Sequence, residues 1–169
     1  MLEAHRVSSF RPRWEVREDG APLLVLEKKG WRSGVEYTLD GTAYEVRSTW
    51  TGSRFTLATG DTEIAHAARI GRKHWSMTTP EGEFHFRRRS VWKSDQEWVP
   101  DPDSSAVLGA IRRTGTWRGD AEARLPGMPA PLAVFVLAVV LLMWEQAAAA
   151  ASVVHPTAST TIVATPTGG

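Results

Sequence analysis

The chain of 169 residues contains no cysteine and, read along its length, no asparagine. Without thiols it has no disulfide framework, no thiolate zinc centre and no cysteine nucleophile, and it fits a reducing compartment. An excess of either charge is also missing. Lys and Arg number 20 against 19 Asp and Glu, and a net charge near +1 argues against a whole-domain nucleic-acid binder. Charge of any sign is nearly absent from the C-terminal part: all 20 basic residues lie at or before Arg124, and after Leu125 only Glu145 is charged. The opening MLEAHRVSSFRPRW has no apolar run, which predicts no secretory signal. At 42% apolar and 23% charged residues, the composition excludes both a disordered chain and a multi-span membrane protein.

What is present is alternation. Val35, Tyr37 and Leu39 alternate with Glu36 and Thr38; Tyr44 and Val46 with Glu45 and Arg47; Phe84 and Phe86 with Glu83, His85 and Arg87. Successive strand side chains point to opposite faces, so a period of two predicts strands. Asp40-Gly41 between two such runs predicts a tight hairpin, because a type I′ turn needs positive φ at both central residues. Before Pro129 no segment of helical period appears, and the body is read as all-β.

Turn signals at Asp19-Gly20, Asp40-Gly41, Gly60-Asp61, Glu81-Gly82 and Asp103-Ser104 recur every 20 to 22 residues. After them come PLLVLEK, AYEVRSTW, EIAHAARI, EFHFRRR and AVLGAIRR, each read as a strand. A hairpin repeated at this period cannot bury its apolar face alone. Five of them with end strands predict a closed antiparallel barrel of about ten to twelve strands, since closure removes exposed edges.

Behind Pro126, Pro129 and Pro131 stands an uninterrupted apolar run of thirteen residues, 132–144, then Glu145, Gln146 and five alanines. Proline suits a helix start, where its missing N–H costs nothing. Spanning a bilayer takes about twenty apolar residues, and a run of 10–14 more often marks a core helix. Stretching a span to Val154 would also place Glu145 in lipid, at a cost of about 2.5–3.5 kcal/mol at the bilayer centre. A helix apolar on every side needs an apolar surround, which a barrel supplies. The reading is therefore one domain, 1–154, with a central helix at about 130–151 and a disordered Thr/Pro/Gly tail over 155–169. The alternative is a tail anchor over 130–154 carrying a cytoplasmic β domain that serves a membrane complex.

With the acidic hairpin tips at one end, the opposite connections are 28–32, 49–54, 69–75, 87–93 and 112–118. Each carries a Trp beside Arg or Lys. Trp is favourable at headgroup depth and each basic residue near an anionic surface contributes about 1 kcal/mol. The candidate lipid-binding residues are accordingly Lys28, Lys29, Trp31, Arg32, Arg72, Lys73, Trp75, Arg87, Arg88, Arg89, Trp92, Arg112, Arg113 and Trp117. The expected partner is an anionic phospholipid surface, with a protein partner in a membrane complex as the second class. A single-stranded nucleic acid is disfavoured, because its stacking platform needs aromatics on an open sheet face rather than in turns.

Catalytic patterns are weak. Glu63-x-x-His66 falls on a strand, where residues three apart face opposite sides, so the two are expected not to converge. Glu83, His85 and Arg87 share a face and read as a solvated ladder. There is no Gly-x-Ser-x-Gly elbow and no phosphate-cradling loop, and Arg118-Gly119-Asp120 is a chance tripeptide in an Arg-rich loop. A non-enzyme with no cofactor and no metal is expected.

The run Ser9-Phe10-Arg11-Pro12-Arg13-Trp14-Glu15-Val16, the Gly-x-x-Tyr-Glu-Val run at 41–46 and the closing apolar helix with Glu145 resemble the Tubby C-terminal-like superfamily. That group takes in the Tubby proteins, the phospholipid scramblases and the LURP-one-related proteins. The resemblance covers roughly residues 6–150 and implies a twelve-stranded barrel around a hydrophobic C-terminal helix. It also implies a lipid- or membrane-associated role, cytoplasmic and peripheral. The proline-rich arm and palmitoylated Cys of the scramblases have no counterpart here.

Overall fold

The computed structural model describes residues 1–8, 12–28, 34–49, 51–90, 94–115 and 119–152. The tail read at 155–169 lies outside them. Twelve strands precede one helix: β1 Leu2–Ser8, β2 Arg13–Glu18, β3 Ala21–Lys28, β4 Val35–Leu39, β5 Thr42–Ser48 and β6 Arg54–Thr59 form the first half. The second half is β7 Thr62–Ala68, β8 His74–Thr79, β9 Gly82–Arg88, β10 Gln96–Val99, β11 Gly109–Thr114 and β12 Asp120–Arg124, followed by α1 Ala130–Ser152.

Every strand pairs antiparallel with its chain neighbours, and β1 closes on β12 through Leu2↔Ala123, Glu3↔Glu122 and Ala4↔Ala121, giving an up-and-down closed barrel. The hairpin chemistry is local. Asp19 and Gly20 have φ of 49° and 84°, Asp40 and Gly41 of 49° and 76°, the left-handed pair that a type I′ turn demands. The recurrent turns thus all fall between strands. One strand starts later than its sequence suggests: β11 begins at Gly109, and Val107 and Leu108 are exposed in the connection before it.

Inward positions carry the apolar half of each alternation: Trp14 and Val16, Leu24 and Leu26, Val46, Phe55 and Leu57, Trp75 and Met77, Phe86 and Ile111. Eight strands make a barrel that side chains alone fill, whereas sixteen enclose a channel. Twelve leave room for one helix about 10 Å across. α1 occupies that room, with Leu132 to Leu142 all buried. A core helix inside a barrel meets wall on every side, which is why its sequence lacks a polar stripe. Burying each of its Leu, Val and Phe side chains contributes about 1.5–3 kcal/mol.

The helix starts at the end of the barrel that carries the hairpin tips. Leu132 and Ala133 N–H groups donate to the Pro129 carbonyl at 3.0 and 2.9 Å, and the Tyr37 hydroxyl donates to Pro131 O at 3.0 Å. The N-terminal ammonium sits at the same end, 2.9 Å from Asp19.

Candidate functional site

An up-and-down barrel puts alternate connections at opposite ends. Asp19, Asp40, Asp61 and Glu81 therefore share one mouth with the start of α1, and the basic connections share the other with its last turns. The positive N-terminal end of the helix macrodipole lies at the mouth that carries the acidic tips.

Parity decides what each basic residue does. Continuing the inward rows of β1, β3 and β11 (Leu2-Ala4-Arg6, Leu24-Leu26-Lys28 and Ile111-Arg113) brings three cations over the basic mouth. There they meet the end of α1. Arg6 lies 3.1 Å and Lys28 3.9 Å from the Glu145 carboxylate, and the Arg113 guanidinium lies 4.9 Å from the Trp144 ring centroid. Burial pushes the Glu145 carboxyl up, while Arg6 and Lys28 pull it down. Beneath this clasp is a polar cluster. Trp75 Nε1 donates to Gln96 Oε1 at 3.1 Å, and Gln96 Nε2 and Trp144 Nε1 both donate to Ser94 O, at 2.9 and 3.0 Å. Gln96, buried in the wall, is thus satisfied on both sides of its amide.

The sequence-derived candidates separate into three groups. Arg72, Lys73, Arg89 and Arg112 are exposed around the rim, and Arg88, half-buried, donates to Gly71 O at 3.1 Å. Lys28 and Arg113 face the mouth as described. Two others are held within the wall. Trp75 points inward, 2% exposed, and stacks on Phe86 with centroids 4.2 Å apart, so it presents no ring to a surface. Arg87 is tied to Glu97 at 2.9 Å and to Ser104 O at 2.6 Å on the outer wall. Lys29, Trp31, Arg32, Trp92 and Trp117 lie outside the described residues. Arg6 was not among the candidates; the Leu2-Ala4-Arg6 alternation is the signal that finds it.

The expectation that Glu63 and His66 diverge is corrected. His66 Nδ1 lies 3.1 Å from Glu63 Oε1. The ladder pairs Ala58 with Glu63 but Leu57 with Ala65, so Ile64 is an extra residue in β7 that resets the parity. Among the described residues no group of three His, Asp or Glu is placed to hold a metal ion.

Comparison with known proteins finds no family model and no curated protein that matches the chain.

Proposed function

We propose that the protein is a non-enzymatic, membrane-proximal module in the cytoplasm, docking the basic mouth of its barrel on anionic phospholipid. The observation that carries this reading is the enrichment of cations at one mouth, where Arg72, Lys73, Arg88 and Arg112 stand with Arg89, itself 3.7 Å from Glu97, while the acidic hairpin tips stand at the other. Basic side chains on one face orient a protein on a negative surface, each contributing about 1 kcal/mol within a Debye length. Arg forks add bidentate contacts to phosphate. The barrel with its enclosed helix also supports the Tubby-like resemblance, whose members are lipid- or membrane-associated. Scramblase activity is not part of the proposal.

The test is cosedimentation of the full chain with phosphatidylcholine vesicles, with and without phosphatidylserine, at low and high salt. Arg72→Glu, Lys73→Glu, Arg89→Glu and Arg112→Glu together should weaken binding to the anionic vesicles by at least about tenfold. Binding that ignores both salt and these changes overturns the proposal. α1, at 23 residues, is long enough to cross a bilayer. Retention in membranes through a carbonate wash would establish the tail-anchored reading instead.

A further inference from the structure

Between β12 and α1 the chain has to turn from the wall into the lumen. Pro126 and Pro129 offer no N–H, and around Gly127, at φ of 78°, the Met128 N–H donates to Leu125 O at 3.2 Å. This turn stands off the ends of β1 and β12 and leaves an open cavity of about 450 Å³ at the acidic mouth. Leu2, Ala123, Met128 and Ala133, all buried, give it an apolar floor.

The surface beside the cavity is apolar as well. Among the described residues four large apolar side chains are exposed: Met1 at 38%, Val7 at 53%, Val107 at 48% and Leu108 at 42%. All but Val7 belong to this mouth. Ala123 of β12 pairs with Leu2 of β1 on one side and with Ile111 of β11 on the other. Met1 and the Val107–Leu108 step therefore flank the end of β12, on strands about 10 Å apart. Apolar residues exposed singly need no explanation, but a group of them beside an apolar cavity marks an interaction site.

We infer that this sector of the acidic mouth is a docking surface for another protein, recognising a short segment in which large apolar side chains alternate with Lys or Arg. The cavity falls within the range of about 300–1,000 Å³ in which proteins hold compact ligand groups. Binding energy concentrates in large side chains anchored in such pockets. The charges around it select a cationic partner. Glu18 lines the cavity, and Asp101 and Asp103 are exposed in the connection that leads to Val107. None of these three carries an ion pair among the described residues. The cations nearby are already engaged: Arg124 lies 2.7 Å from Glu122, and the N-terminal ammonium 2.9 Å from Asp19. A second copy docking through the same face would set Glu18, Asp101 and Asp103 against like charges, which disfavours it. Anionic lipid meets the same repulsion. This end is also the one that lipid docking through the basic mouth leaves facing solvent, and the interaction stands with or without that docking.

The test uses the full chain in solution, without vesicles, and a fluorescein-labelled peptide, Lys-Lys-Trp-Lys-Leu-Lys, followed by anisotropy. Two controls are Glu-Glu-Trp-Glu-Leu-Glu, with the charge reversed, and Lys-Lys-Ser-Lys-Ser-Lys, without the apolar side chains. The first peptide should bind and both controls should not, and hydrogen exchange should slow in segments 106–110 and 123–130. Val107→Ser with Leu108→Ser should weaken binding by at least about tenfold, and Asp101→Asn with Asp103→Asn should do the same. Ala130→Phe, which fills the cavity from an exposed position, should weaken it too while the circular dichroism stays that of the unaltered chain. Val7→Ser, at the other end of β1, should leave binding unchanged. No binding, equal binding of either control peptide, protection elsewhere on the barrel, or a dimer of the free chain that the Val107 and Leu108 changes dissolve would each overturn the inference.

Discussion

Arg6, inward at the end of β1, and Glu145, near the end of α1, meet at 3.1 Å across the basic mouth, joining the first strand to the last element of the fold. Lys28 approaches the same carboxylate from β3. Glu145 is the only charge on the helix, so this clasp fixes how far α1 is threaded and which turn sits in the mouth.

The clasp has a pH signature. Burial raises the Glu145 carboxyl above its ordinary 4.5, and the two cations offset that only in part. A folded-state pKa above the unfolded one means that the native state holds the proton more tightly. The stability that this group contributes is therefore complete below about 4.5 and is lost as pH rises through the folded value. Glu145→Gln removes the titration and keeps a hydrogen-bonding side chain. Urea unfolding should show the variant gaining on the unaltered chain as pH rises above about 4.5. A difference that stays constant with pH would sink the assignment.

Tyr37 ties the other end of the helix to the wall through its bond to Pro131 O. Tyr37→Phe keeps the ring stacked on Tyr44 and deletes only the hydroxyl, so it should cost about 0.5–1.5 kcal/mol. The urea midpoint should fall with an unchanged slope, since the surface exposed on unfolding is the same. An unshifted midpoint would mean that the bond contributes nothing.

Glycines of two kinds should respond differently to alanine. Gly41 has φ of 76° with open space around it, so Gly41→Ala meets only backbone strain, about 1 kcal/mol. At Gly109 an added Cβ runs into the Arg124 carbonyl oxygen and lies 3.2 Å from the Trp98 ring. Gly109→Ala should therefore lower the melting temperature more than Gly41→Ala does, because both neighbours belong to the sheet. The reverse order in calorimetry would contradict the packing at the β10–β11–β12 corner.

Much of this architecture is legible in the residue order because its causes are local. The Asp-Gly pairs set their own turns, and the Tyr37–Tyr44 and Trp75–Phe86 alternations declare strands without tertiary help. β1 is less legible, having only Leu2 and Ala4 as inward apolar residues, and it forms because β2 and β12 flank it. The site is harder still. Trp75 lies beside a basic turn yet faces inward, a matter of one step in parity. Glu63 and His66 meet because of one extra residue at Ile64, and a bulge leaves no mark in an alternating pattern.

The helix itself carries the last prediction. Leu137 and its neighbours from Val134 to Val140 are at most 1% exposed, all within the barrel. A chain ended at Met128 would keep every strand but leave their inward side chains facing a water-filled lumen. Hydrophobic surface on that scale does not stay open. The truncated chain should aggregate or collapse to a dye-binding state without near-ultraviolet dichroism. Leu137→Asp should do the same within the full chain, since an unpaired carboxylate at the barrel centre has no partner. Gel filtration, dye binding and tryptophan dichroism on both variants decide the matter. If either chain runs as a monomer with native tryptophan signals, the strands hold the barrel unaided and α1 is free to act elsewhere. If both fail together, the apolar run is the core around which the twelve strands close.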